Sequence, residues 1–163
     1  MLVSGLNINY GFNGINNTDK SFDNNLKFKS EQKVDNEEDK ILYEQLENAG
    51  VDFKNHSFQW QKENLVSFPP LTAPGNVRRA YRLALENATP DEKRAAQGMV
   101  FYIQLYKKDE YINNTQNSVS DYLNLIDGFK DYFDSRYSNL LSKSQYNNYN
   151  SLIDKFTDEL AKY

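Results

Sequence analysis

The stretch SFPPLTAPGNVRRAYRLALENATPDEKRA, residues 67–95, decides the fold of this chain because its prolines separate the regular elements. It contains all four prolines and four of the five arginines. Pro69 and Pro70 lack amide donors and favour extended backbone, so no helix or central strand is expected to pass through them. A predicted helix then begins at Pro74 and ends near Ala88.

The predicted helix after Pro74 has one apolar face, and its end is followed at once by a second helix start. The apolar positions recur at steps of three and four, at Val77, Ala80, Tyr81, Ala84 and Ala88. Thr89 supplies a hydroxyl cap, Pro90 suits the first helical position, and two acids follow near the positive end of the dipole. Almost no loop separates the two helices, so the chain must turn sharply between them.

Besides the helices that begin at Pro74 and Pro90, three more are predicted, one before this stretch and two after it. The first runs from Asp35 to Ala49, with acids in its first turn. The helix that starts at Pro90 carries MVFYIQLY at residues 99–106, which is apolar nearly all round and predicts the central helix. A long helix opens at Ser118 or Ser120. Ser144 caps the last helix, which has one apolar stripe at Tyr149, Leu152, Ile153, Phe156 and Leu160. A short linker between these last two predicts an antiparallel pair.

The asparagine-rich segment 1–34 has a different pattern. Leu6, Ile8, Tyr10 and Phe12 alternate with Asn and Gly, and an Asn-Gly turn signal follows, which indicates an extended segment or a short β-hairpin. The alternative is a flexible tail. A second short hairpin is predicted in residues 51–60. The sequence therefore predicts a mainly α fold, a compact helical bundle of about five helices, with residues 35–163 as a single helical domain.

Composition limits the classes of function. The 163 residues fit one domain, and 12 Tyr and 10 Phe supply core material despite a mean hydropathy of −0.82. The absence of cysteine and the single His56 exclude thiolate sites and zinc sites with several histidines. We expect no cofactor and no metal. No apolar run is long enough to span a bilayer and no signal-peptide pattern is present, so a cytoplasmic protein is expected, the alternative being export without a cleaved signal peptide.

Five residues are predicted to contact a protein partner. Arg78, Arg79 and Arg82 lie on one helical turn opposite the apolar face, where guanidinium groups can bind phosphates or an acidic partner. The alternative is a solvated or intramolecularly paired face. Trp60 and Phe68 belong to an extended aromatic-proline segment, which either docks into a partner's groove or straps across its own core.

Other patterns that could indicate a metal, catalytic or phosphate-binding site are weak. Asp127, Asp131 and Asp134 lie at helical steps but without a calcium-binding loop, which is typical of a solvated acidic face. His56 has no nucleophile motif beside it, and the glycines at 11 and 14 lack the lysine and helix of a phosphate loop. No catalytic residue is predicted, so we expect the protein not to be an enzyme, although a hydrolase built from scattered carboxylates is an open alternative.

The sequence thus predicts a non-enzymatic interaction or accessory protein. A nucleic-acid-associated protein that uses the arginines is the first alternative, disfavoured by the net charge of −4 and the lack of a basic recognition helix. A substrate or accessory protein of a bacterial type III or flagellar-type export system is the second, suggested by the Ser- and Asn-rich N-terminal composition.

Overall fold

The computed structural model describes residues 23–163, and this part of the chain is helical, with no strand in it. Six helices follow in order: α1 Asp23–Asn48, α2 Phe58–Asn64, α3 Gly75–Glu86, α4 Pro90–Asp109, α5 Val119–Tyr137 and α6 Lys143–Leu160. The predicted mainly α architecture is confirmed, with six helices rather than about five in the described part. The strand predicted at residues 6–12 lies outside the described residues. None of the helices in residues 23–163 combines the length and apolarity that a bilayer crossing requires.

The centre of the bundle is α6, which contacts α3, α4 and α5. Its apolar stripe is buried as predicted, at Leu152, Ile153, Phe156 and Leu160. The prediction that the helix from Pro90 is central is wrong, because Phe101 in its most apolar run is 57% exposed. Only one side of α4, with Met99 and Ile103, enters the core. Large apolar side chains at steps of three and four give α6 a face that three neighbours can cover.

Local capping signals explain most helix starts. Thr89 accepts a hydrogen bond from the Glu92 amide at 3.3 Å and Glu92 accepts one from the Thr89 amide at 2.6 Å, so the predicted start is a full capping box. Ser118 caps α5, in agreement with one of the two predicted positions. Ser142 caps α6, and the prediction of Ser144 is wrong because Gln145 completes a capping box with Ser142.

Two predictions near the beginning of the chain need correction. α1 begins at Asp23 rather than at Asp35, so residues 23–34, predicted as flexible or strand-like, are helical. The hairpin predicted in residues 51–60 is wrong, because turns are followed there by α2. Ser57 caps α2 by accepting a hydrogen bond from the Trp60 amide at 3.2 Å. Two apolar residues in alternation are too short a pattern to separate strand from helix.

The start of α3 lies directly against the backbone of α1. Pro74 precedes α3 and provides no side-chain cap, so the Asp35 carboxylate of α1 accepts the hydrogen bond from the Gly75 amide. A Cβ atom at position 75 would lie 2.7 Å from the Asp35 nitrogen and 2.8 Å from its Cα. The glycine is therefore required for the close approach of the two helices.

The start of α4 is tied to α6 through the buried carboxylate of Glu92. Besides capping α4, this carboxylate accepts hydrogen bonds from the Ser151 hydroxyl and from the Lys155 ammonium, the latter at 2.6 Å. Burial opposes its ionisation, but the hydrogen bonds from Lys155, Ser151 and Thr89 outweigh burial and lower the pKa of Glu92 to about 2. One charged group thus fixes both a helix terminus and a helix pair.

We predict that Gly75→Ala destabilises the protein by about 1–3 kcal/mol, because the added methyl group pushes α1 away from α3. Gly98→Ala is the matched control. There the added Cβ would clash with the Tyr149 hydroxyl oxygen, the end of a side chain rather than backbone, and alanine improves helix propensity by about 1 kcal/mol. Urea unfolding measures both variants. A loss for Gly75→Ala no larger than that for Gly98→Ala would contradict the close approach.

We predict that Glu92 makes stability depend on pH in acid. A carboxyl group whose folded pKa is lowered stabilises above its unfolded pKa, near 4.5, and loses that contribution as the pH falls toward 2. The stability difference between the wild type and Glu92→Gln should be constant above about pH 6 and shrink by about 3 kcal/mol toward pH 2. Urea unfolding at a series of pH values measures it. A difference that does not change with pH would reject the assignment.

Candidate functional site

The arginine face of α3 is covered by α1. Arg78 donates to an Asp39 oxygen at 2.7 Å and to the Ala73 carbonyl at 2.8 Å, and it lies 3.9 Å from the Asp35 carboxylate. Arg79 forms ion pairs with Glu37 and Glu38, the second at 3.0 Å. These arginines are therefore bound to acids within the same chain.

Arg82 forms the most enclosed ion pair of the network. Its Nε and Nη2 atoms donate to the two Glu38 oxygens at 3.0 and 2.7 Å, while Nη1 donates to Glu86 at 3.0 Å. The side chains of Arg82 and Glu38 are only 6% and 4% exposed. Burial favours the neutral guanidine, but the hydrogen bonds to Glu38 and Glu86 outweigh burial and raise the pKa of Arg82. The pair stays charged and keeps a two-point geometry.

The three arginines are thus paired with acids of their own chain, which is the alternative to partner binding given for them in the sequence analysis. Their assignment to a partner stays a prediction, and it requires displacement of the α1 carboxylates. Sequence reasoning missed those carboxylates, Asp35, Glu37, Glu38 and Asp39, because acids in a first helical turn also suit the helix dipole. One signal in the sequence could have revealed this pairing: four acids lie within residues 35–39, and three arginines lie on one turn of a later helix.

Phe68 lies in the core instead of on a surface. It is buried and packs edge-on against Tyr81 and Phe156, with ring centroids 5.7 and 5.9 Å apart. The extended segment before α3 therefore straps across its own bundle at Phe68, which is the alternative to docking in a partner's groove.

Trp60 belongs to a separate group of rings at the junction of α1 and α2. We call these rings the aromatic corner; they form two stacked sets, Tyr43 with Phe53 and Phe58, and His56 with Trp60. Tyr43 and Phe53 are stacked with centroids 4.6 Å apart, and Phe58 meets both rings edge-on. His56 and Trp60 are stacked at 3.8 Å. Such pairs add about 0.5–1.5 kcal/mol beyond area burial, so within each set the rings hold one another in place.

The aromatic corner remains open to solvent. Tyr43 is 39% exposed and Trp60 41%, and no residue of the corner belongs to the main core cluster. In α2 the one buried side chain is that of Gln61. The corner thus exposes stacked rings, and of its five members the sequence analysis predicted only Trp60 as a partner contact.

The remaining candidates do not converge on a reactive group. Asp134 accepts a hydrogen bond from the Tyr146 hydroxyl at 2.7 Å, while Asp127 and Asp131 are exposed. In residues 23–163 no group of three or more His, Asp or Glu side chains is placed to hold a metal ion. A shallow depression of about 380 Å³ is lined by one helix, α1, through Lys29, Gln32, Lys33, Asn36, Glu37 and Lys40. The glycines at 11 and 14 lie outside the described residues.

We predict that Arg82→Met destabilises the protein by about 3 kcal/mol, because it leaves the buried Glu38 carboxylate with only its contact to Arg79. The double variant Glu38→Met/Arg82→Met should be more stable than Arg82→Met alone. Arg94→Met is the matched control, since Arg94 is 74% exposed and pairs with the exposed Asp91; its cost should stay below about 1 kcal/mol. Urea unfolding compares the three, and equal losses for Arg82→Met and Arg94→Met would refute a buried pair.

Comparisons with known proteins assign no family to this chain. No protein-family model matches it. Neither the curated proteins nor the solved structures include a match. The function must therefore be inferred from the surfaces described above.

Proposed function

We propose that this protein is a non-enzymatic interaction protein and that the aromatic corner is its binding surface. The observation that carries the proposal is the exposure of Tyr43 and Trp60 in rings that are already stacked on their neighbours. Tyr and Trp are enriched among the few residues that supply most of the binding energy at protein interfaces. Rings held in place before binding lose little further conformational freedom when a partner arrives.

The ion network supports this proposal because it anchors the corner to the bundle. Asp39 of α1 accepts from Lys62 of α2 at 2.8 Å and from Arg78 of α3 at 2.7 Å. Leu42 and Leu46 of α1, on either side of Tyr43 in sequence, are buried. The corner is thus presented by elements that are fixed to α3, which favours recognition of one defined surface.

The arginines offer less support for binding of phosphates. A phosphate group would have to displace the α1 carboxylates from Arg78, Arg79 and Arg82, all of which are engaged. The net charge of −4 opposes the approach of nucleic acid as well. The nucleic-acid alternative is therefore weaker than a protein partner, and the export alternative rests on N-terminal residues outside the described part.

We predict that removing the exposed ring stack abolishes partner binding. The double variant His56→Ala/Trp60→Ala removes two exposed rings and keeps Ser57, the cap of α2. Recovery of the main co-purifying protein from native cells should fall at least about tenfold, as expected for the loss of an interface hot spot. Mass spectrometry with isotope labelling measures the recovery.

Phe101→Ala is the matched control, because Phe101 is also an exposed ring but lies on α4, outside the aromatic corner. It should retain the partner, and circular dichroism should show that both variants keep the helical fold. Equal recovery with the wild type and the double variant would reject the aromatic corner as the binding surface.

A further inference from the structure

We infer that the partner presents a cationic segment, arginine or lysine beside apolar side chains, to the aromatic corner. This inference rests on the proposed function and specifies the chemistry of the partner. It is drawn from the charges around the corner and from the way in which its rings already accept a cation.

Exposed carboxylates are close to the rings in sequence. On α1, Glu47 lies one helical turn after Tyr43, on the same side of the helix, and Glu44 is next to Tyr43. Within residues 23–163 neither glutamate forms an ion pair. Asp52 precedes Phe53, and Glu63 lies one turn after Trp60; both are exposed too.

Cations of the protein itself do not balance these acids. Between residues 40 and 64 the basic side chains besides His56 are Lys40, Lys54 and Lys62, fewer than the acids among Glu44, Glu47, Asp52 and Glu63 once Lys62 is set against Asp39. Lys62 is held by Asp39 in a two-oxygen contact at 2.8 and 2.9 Å. The corner is therefore a net acidic rim around apolar rings, and a cationic partner is favoured both during its approach and in the complex.

The rings are suited to cations as well. Lys62 lies over the Phe58 ring, with its nitrogen 5.7 Å from the centroid. Electron-rich ring faces attract ammonium and guanidinium groups, and Trp is the strongest of the aromatic residues in this respect. Tyr43 and Trp60 still have exposed surface for a second cation, so the rings and the carboxylates select the same partner chemistry.

Two other occupants fit the charges less well. A second copy of this chain would bring the same acidic rim against itself, and like charges in an interface oppose association. The chain's own residues 1–22 contain a single basic side chain, Lys20, next to Asp19, so they bring no excess of positive charge to the rim. A basic segment of another protein is the occupant that matches the surface.

Trp60 makes a direct test possible because it is the only tryptophan of the chain. The full chain is titrated with an acetylated and amidated ten-residue peptide that has two arginine pairs separated by leucine and glycine. A matched peptide has glutamate in place of each arginine. We expect the arginine peptide to change Trp60 emission in a saturable way that weakens as salt rises from about 0.05 to about 0.3 M, and the glutamate peptide to leave the emission unchanged.

The variant Glu44→Gln/Glu47→Gln should raise the Kd of the arginine peptide at least about fivefold, because it removes the unpaired carboxylates next to Tyr43. Asp127→Asn/Asp131→Asn is the matched control. It removes two exposed carboxylates from α5, outside the aromatic corner, and should leave the Kd within about twofold of the wild type because distant exposed charges are screened.

Each contrary result overturns the inference. An equal response to the two peptides, or an equal rise in Kd for the two variants, rejects recognition of a cation at the corner. Emission that depends on protein concentration without peptide, together with a dimer mass by light scattering, assigns the corner to a second copy. If His56→Ala/Trp60→Ala loses its cellular partner while the arginine peptide does not bind, the interaction surface stands and only its cationic preference is rejected.

Discussion

The buried ion pair between Glu38 and Arg82 is the constraint on which the arrangement of α1 depends. Two charges removed from water are tolerated only where their hydrogen bonds are matched, so the helices must meet at one register. At that register Asp35 reaches the first amide of α3, and the backbones approach so closely that position 75 must be glycine. Burial of Leu42 and Leu46 follows on the same side of α1.

The sequence was sufficient for features that depend on neighbouring residues. Thr89, Pro90 and Glu92 mark the start of α4 by themselves, because the cap, the proline and the reciprocal acid act within one helical turn. The apolar stripe of α6 was equally visible from its spacing. Whether α4 or α6 is central depends on which helix is covered from three sides, and no local pattern contains that information.

The candidate site was predictable only in part, for a related reason. Trp60 and Phe68 belong to one aromatic-proline segment in the sequence, but Phe68 enters the core and Trp60 remains outside with His56. Trp60 lies in a short helix capped by Ser57, whereas Phe68 follows that helix. The helix was missed in the sequence because the alternation of apolar residues in 51–60 predicted a hairpin. Similarly, the spacing of Arg78, Arg79 and Arg82 shows that they share a turn but not which acids face them.

Asp39 has a consequence that extends past either of its ion pairs. One carboxylate serves the ammonium group of α2 and a guanidinium group of α3. Neither cation can move without altering the electric field felt by the other, because both bind the same oxygen. The short helix that carries Trp60 and the bundle behind it thus share one anion, so a displacement of either cation changes the electrostatic environment of the other.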